Sequence, residues 1–178
     1  MDKVLVLVII LVQYFHTEVS AGCDLPHISC ERKYEKVGGF IEKDNRVMPE
    51  LLLNDRDCTS DKNDGHKLDW YKFEVSIHSL ACRCAEIAKK KGYKVFGLQF
   101  YGECWSGPLA EAKFAEYGSA DPSKSLQLTG NPPPPCDKNN PQECVGGPLI
   151  NYVYRLKDDQ QSADVDGGYS KWADWTKC

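Results

Sequence analysis

Nine cysteines constrain the fold of this chain more than any other feature, because all of them lie beyond an N-terminal stretch expected to be removed. Met1-Asp2-Lys3 is followed by an apolar run from Val4 to Val12, and then by polar residues leading to Val19-Ser20-Ala21. One positive charge, a short apolar segment and small residues at the minus-three and minus-one positions describe a secretory signal peptide, residues 1–21, cleaved after Ala21. A transmembrane anchor needs about twenty apolar residues, more than this run supplies. In an oxidising compartment Cys23, Cys30, Cys58, Cys82, Cys84, Cys104, Cys136 and Cys144 read as a disulfide framework whose pairing the sequence leaves open. Cys178 is the odd one, with a partner expected in sequence beyond it.

Charge excludes some partners. The formal balance of −4 comes with both signs mixed along the chain, so no basic stripe is offered to nucleic acid or to an anionic membrane. No membrane insertion is expected in this segment. Lys89-Lys90-Lys91 is the one basic cluster, and it stands where a helix should end and complements the dipole there.

Residues 22–156 carry apolar segments between polar loops, a length sufficient for one disulfide-supported core. Residues 157–166 are polar and acidic and read as a solvated linker. Pro132 to Pro135 should be extended rather than helical. One helix is expected with Ser76 as N-cap, an apolar face of Ile77, Leu80, Ala81, Cys84, Ala85, Ile87 and Ala88, and Gly92 as its stop. Strands are expected over Lys94–Phe100, Ile150–Tyr154 and Gly39–Glu42. The fold class is therefore α+β, a small disulfide-rich module with a twisted antiparallel sheet and one main helix packed across it. Cys84 on the helix face and Cys104 just past a strand are placed to bridge these layers, and Cys82, on another face, should enter a separate bond.

Catalytic and metal motifs are missing. His27, His66 and His78 stand in no nucleophile or zinc motif and read as exposed loop or helix residues. The acidic run Asp55 to Asp69 resembles a calcium loop only superficially. With Gly65 at the sixth position, Ser60, Lys62 and Tyr71 would fill positions one, three and twelve, which is not a ligand set. It reads as a surface loop. No cofactor, no metal and no enzymatic activity are expected.

The stretch from Gly92 to Gly107 combines Gly92-Tyr93, the apolar Val95-Phe96-Gly97-Leu98 and the closing Gly102-Glu103-Cys104-Trp105-Ser106-Gly107. With Gly39-Phe40 to Pro49 before it and Gly146-Gly147 to Tyr154 after it, this resembles a WSC domain, a small cysteine-rich extracellular module credited with carbohydrate binding. The likeness spans Val37 to Leu156 in a divergent form, of a kind associated with multidomain secreted proteins of marine invertebrates such as cnidarians. Ala88 and Ser106 stand where that family carries cysteines, which implies one bridge lost as a unit. The resemblance makes Gln99, Tyr101, Glu103 and Trp105 the candidate ligand-binding residues. An aromatic face stacks on a pyranose while carboxylate and amide bond its hydroxyls. Phe96 and Phe100 share strand parity and are expected in the core, whereas Trp105, expected in a turn, admits both roles.

Residues 167–178, Gly167-Gly168-Tyr169-Ser170 followed by Trp172, Trp175 and Cys178, resemble the opening of a thrombospondin type-1 repeat. That resemblance implies C-mannosylation of Trp172 and Trp175 and a repeat truncated at its first cysteine. No Asn-x-Ser/Thr acceptor occurs. The expected function is non-catalytic: a secreted or cell-surface recognition and adhesion module for a glycan or an extracellular-matrix protein. A structural matrix component that uses the domain as a spacer, and a secreted toxin or inhibitor, are the alternatives.

Overall fold

Apolar residues at helical spacing give α1 (Phe73–Lys90), where Ile77, Leu80, Ala81, Cys84, Ala85 and Ala88 are all buried. The computed structural model describes residues 22–127 and 133–158. The expected leader, Pro132, the linker from residue 159 onward, Cys178 and the repeat-like end with Trp172 and Trp175 lie outside the described residues.

The helix starts earlier than its predicted cap. Ser76 lies inside it, wholly buried, and its hydroxyl accepts the Asp69 backbone N–H at 2.9 Å. The entry turn is made instead by the Asp69 carboxylate, which accepts the N–H groups of Tyr71 at 2.9 Å and Lys72 at 3.2 Å. At the other end Gly92 has φ 76°, with its N–H on the Lys89 carbonyl and that of Tyr93 on the Ala88 carbonyl, each at 2.9 Å. These paired bonds form the Schellman stop that the glycine predicted.

The main sheet is antiparallel and has five strands, in the order β1 (Tyr34–Ile41), β7 (Ile150–Leu156), β3 (Val95–Gln99), β4 (Glu103–Ser106) and β2 (Glu50–Asn54). A two-stranded ribbon of β5 (Ser125–Leu126) and β6 (Val145–Gly146), a short helix α2 (Ala110–Lys113) and a 3-10 turn over Pro122–Lys124 complete the described elements. The three expected strands overlap β3, β7 and β1: β3 is one residue shorter than expected at each end, β7 continues to Leu156, and β1 begins upstream at Tyr34 and ends before Glu42. β2 was not foreseen. Glu103–Ser106, expected as a turn, is a strand because it pairs on both sides, with β3 and β2.

Alternation divides the side chains between two cores. Against α1 lie Tyr34, Phe96, Leu98, Cys104, Tyr152 and Tyr154, with Phe96 and Tyr154 stacked at 5.1 Å and Tyr34 edge-on to Phe96 at 5.5 Å. On the opposite face Val47, Met48, Val95, Ala110 and Val153 form a smaller core flanked by Phe40, Trp105, Phe114 and Tyr117. Burying a side chain of this size stabilises by about 1.5–3 kcal/mol. Gly97, in the middle of β3, has no side chain because Asn151 of β7 lies over it. A Cβ there would come within 2.6 Å of the Asn151 amide oxygen.

Four disulfides staple the layers: Cys23–Cys58, Cys30–Cys82, Cys84–Cys104 and Cys136–Cys144. The Cys84–Cys104 bond joins α1 to β4 as expected, and neighbouring Cys82 turns to a different partner. Among the described residues no helix is long and apolar enough to cross a membrane. The four disulfides are consistent with an extracellular protein.

The acidic run is a largely exposed loop, as expected, but it is anchored by charge. Arg83 reaches from α1 into it, bonding both Asp55 oxygens at 2.5 and 3.1 Å and Asp64 at 2.6 Å. Asp64 also meets the His66 ring at 2.9 Å. His66 is buried, not exposed, because this charge cluster folds the loop around it.

Candidate functional site

Register places three of the four predicted ligand residues together. Gln99 pairs with Glu103 and Gly97 with Trp105, so Gln99, Glu103 and Trp105 share the sheet face turned away from α1. A fourth residue, which the motif reading passed over as a candidate, completes the group. The Arg46 guanidinium lies over the Trp105 ring, 3.8 Å from its centroid, and donates to the Gln99 amide oxygen at 3.0 Å. The indole N–H of Trp105 donates to Glu103 Oε2 at 2.8 Å.

Arg46 is held there by a buried acid. Glu42, just past the end of β1, is 1 % exposed, and its carboxylate accepts the backbone N–H groups of Lys43 at 3.2 Å, Val47 at 2.9 Å and Met48 at 3.2 Å. A loop folded around one carboxylate has few alternatives, because releasing it strands a buried charge. Arg46 also borders a groove lined by Asn45, Pro49, Leu109, Lys113 and Tyr117. The Tyr117 hydroxyl donates to the Asn45 carbonyl at 2.7 Å, and Lys43 stands 4.6 Å over its ring.

The arrangement offers a half-buried indole, a guanidinium fork and a carboxylate within one patch. Such a set can stack on an apolar ring face and bond hydroxyls, and it holds neither a nucleophile nor a base aligned on one. Gln99 is 2 % exposed and spends its oxygen on Arg46, so it positions the arginine rather than facing a ligand. Trp105 packs against the smaller core and carries Arg46 on its face.

Tyr101 is not part of this group. The β3–β4 connection is a tight turn closed by the Gly102 N–H on the Gln99 carbonyl at 3.2 Å, with Phe100 and Tyr101 at φ 47° and 66°. Left-handed turns of this kind normally take Asn and Gly, and each aromatic costs about 1–3 kcal/mol of backbone strain. Docking offsets it, since the N–H groups of Phe100 and Tyr101 donate to the Gly147 and Gly146 carbonyls at 3.2 Å. Tyr101 then packs on the α1 side, 6.4 Å from Trp70. Phe100 leaves the core that strand parity predicted, because the strand ends at Gln99. It lies half-buried under the Arg56 guanidinium, 3.4 Å from its ring centroid.

No family model matches the chain, and no curated protein matches it either.

Proposed function

We propose that this chain is a non-catalytic extracellular recognition module that binds a glycan on the sheet face carrying Arg46, Trp105 and Glu103. The observation that carries this reading is the guanidinium stacked on a half-buried indole whose own N–H is fixed by a carboxylate. The guanidinium plane, backed by the indole beneath it, supplies the stacking surface for a pyranose face, and the fork and the carboxylate supply its hydroxyl bonds. The WSC-like pattern of the sequence supports the same class of ligand, and the repeat-like end supports an adhesive context.

Glycan arrays and polysaccharide pull-downs on the oxidised chain test this, beside Arg46→Ala and Trp105→Ala. Binding is expected in the parent and lost in Arg46→Ala at unchanged near-ultraviolet circular dichroism. A folded parent that binds no glycan moves the reading to the matrix spacer.

A second surface is favoured by one observation: Trp70 is 59 % exposed, stacked on Phe73 at 5.2 Å, with the strained Tyr101 beside it. Trp70→Ala in the same screen assigns the ligand to one face or the other.

A further inference from the structure

One disulfide differs from the others in what surrounds it. Cys30–Cys82 ties the segment before β1 to α1, and His78 stands one helical turn before Cys82 on the same helix. The His78 Nε2 lies 3.6 Å from Cys82 Sγ and 3.4 Å from the Cys30 backbone N–H, which it accepts, with the Ser29 hydroxyl at 3.3 Å. Its Nδ1 meets Glu143 Oε1 at 2.9 Å. Because an ionised carboxylate only accepts, Nδ1 carries the proton, and Nε2, whose lone pair accepts the Cys30 N–H, lies beside the Cys82 sulfur.

Glu143 is itself built into place. It is 6 % exposed and receives Arg32 through two bonds at 2.6 and 3.1 Å and the Tyr34 hydroxyl at 2.9 Å. Burial opposes its charge, but the bonds from Arg32, His78 and Tyr34 outweigh burial and hold the carboxyl below its ordinary range. Glu143, His78 and Cys82 therefore form an acid–imidazole–sulfur line of the kind that activates thiols elsewhere. Among the described residues Cys30, His78 and Cys82 are the one group of three His, Cys, Asp or Glu side chains whose donor atoms all lie within 4.8 Å of one another.

We infer that Cys30–Cys82 is a thiol-exchange site, at which a low-molecular-weight thiol attacks Cys30 and Cys82 departs as a thiolate held by His78. The direction of attack follows from access, since Cys30 is partly exposed and Cys82 is buried. The incoming thiol gives its proton to His78 Nε2, its sulfur bonds Cys30 Sγ, and the electron pair of the broken S–S bond stays on Cys82. A second thiol displaces the first from Cys30, so two thiols are oxidised to one disulfide and the protein bond is reduced. Imidazolium beside the leaving sulfur lowers the cost of that departure, and Glu143 stabilises the imidazolium. The groups facing His78 are Glu143 from the segment before β6, Ser29 and Cys30 from the N-terminal segment, and Cys82 on α1. Arg32, Tyr34 and Lys36 act on it through Glu143.

The other bonds lack this chemistry. Cys84–Cys104 is fully buried, and Cys23–Cys58 and Cys136–Cys144, reachable at Cys58 and Cys136, have no imidazole at their sulfurs among the described residues.

The test uses the full oxidised chain with Cys178 alkylated beforehand, exposed to reduced glutathione, quenched with a maleimide and mapped by mass spectrometry. Cys30 and Cys82 are expected to open first, on the order of tenfold faster than any other pair, with glutathione on Cys30. His78→Gln should slow this opening by a similar factor. Earlier opening of another pair, glutathione found on Cys82, or an unchanged rate in a folded His78→Gln overturns the inference. Should that variant not fold, the wild-type protein still decides: Cys82 in the singly reduced chain should alkylate down to about pH 6, and a profile centred near 8.5, as for an ordinary thiol, overturns it.

Discussion

Asn151 donates to the buried carboxylate of Glu42 at 3.0 Å across 109 positions of sequence, fastening the loop that carries Arg46 to the central strand β7. Glu42 bonds N–H groups on its other side as well, so one acid positions the whole edge of the candidate site.

Glu42→Ala is therefore expected to destabilise the protein by roughly 3–5 kcal/mol, because it leaves three backbone donors and one amide without their acceptor. Denaturant unfolding checks the magnitude. Tryptophan emission in the native baseline should shift as well, since Arg46 loses its anchored loop.

Arg46→Ala separates binding from folding. Its cation–π contact over Trp105 is worth about 1 kcal/mol to stability at a partly exposed site, so the variant should stay folded at 25 °C. Glycan binding should be lost, and titration calorimetry of a ligand found on the array would read it.

Acid should unfold the protein partly through Glu143. Its carboxyl sits below the ordinary value of 4.5 in the folded state, so the folded form binds the proton less readily than the unfolded chain. The stability this contributes is complete above the ordinary value and is lost as pH falls through the folded one. Glu143→Gln should flatten the pH dependence of the melting temperature below about pH 4.5 and lower the plateau above it.

Ala88 and Ser106 offer an added staple. Cys84–Cys104 joins α1 to β4, and just past the end of α1 Lys91 bonds Glu50 of β2 at 3.0 Å, while Glu50 pairs with Ser106 of β4. Both positions are fully buried, and the Ser106 hydroxyl donates to the Val95 carbonyl at 2.6 Å. The double change Ala88→Cys with Ser106→Cys is expected to form a fifth bridge worth about 3 kcal/mol for a loop of this size. Mass spectrometry under non-reducing conditions and the melting temperature check it. Either single change should lower the melting temperature instead.

Gly97→Ala should cost stability out of proportion to one methyl group, because the new Cβ meets Asn151 and pushes it from Glu42. A loss of about 1–3 kcal/mol is expected, read by thermal unfolding, with a coupled change in tryptophan emission.

Much of the architecture was legible from neighbouring residues. The apolar face from Ile77 to Ala88, the lysines that follow and Gly92 announced α1 and its end, because helical periodicity and a left-handed stop are properties of a few consecutive residues. The runs in β3 and β7 were readable for the same reason. The start of α1 was misplaced, because Asp69, outside the helix, does the work assigned to Ser76. Tyr101 was read into the site from its place in the motif. Two left-handed residues send it to the other side of the sheet, and no periodicity reports that.

What the chain by itself determined was the helix, two of the central strands and a framework of paired cysteines, all encoded in local pattern and count. Tertiary structure alone decided which cysteines meet, that Arg46 covers Trp105, and that Glu143 reaches His78 beside Cys82. These partners are brought together by strand order and by buried charges seeking their counterparts, interactions that act across space and leave no spacing in the sequence to read.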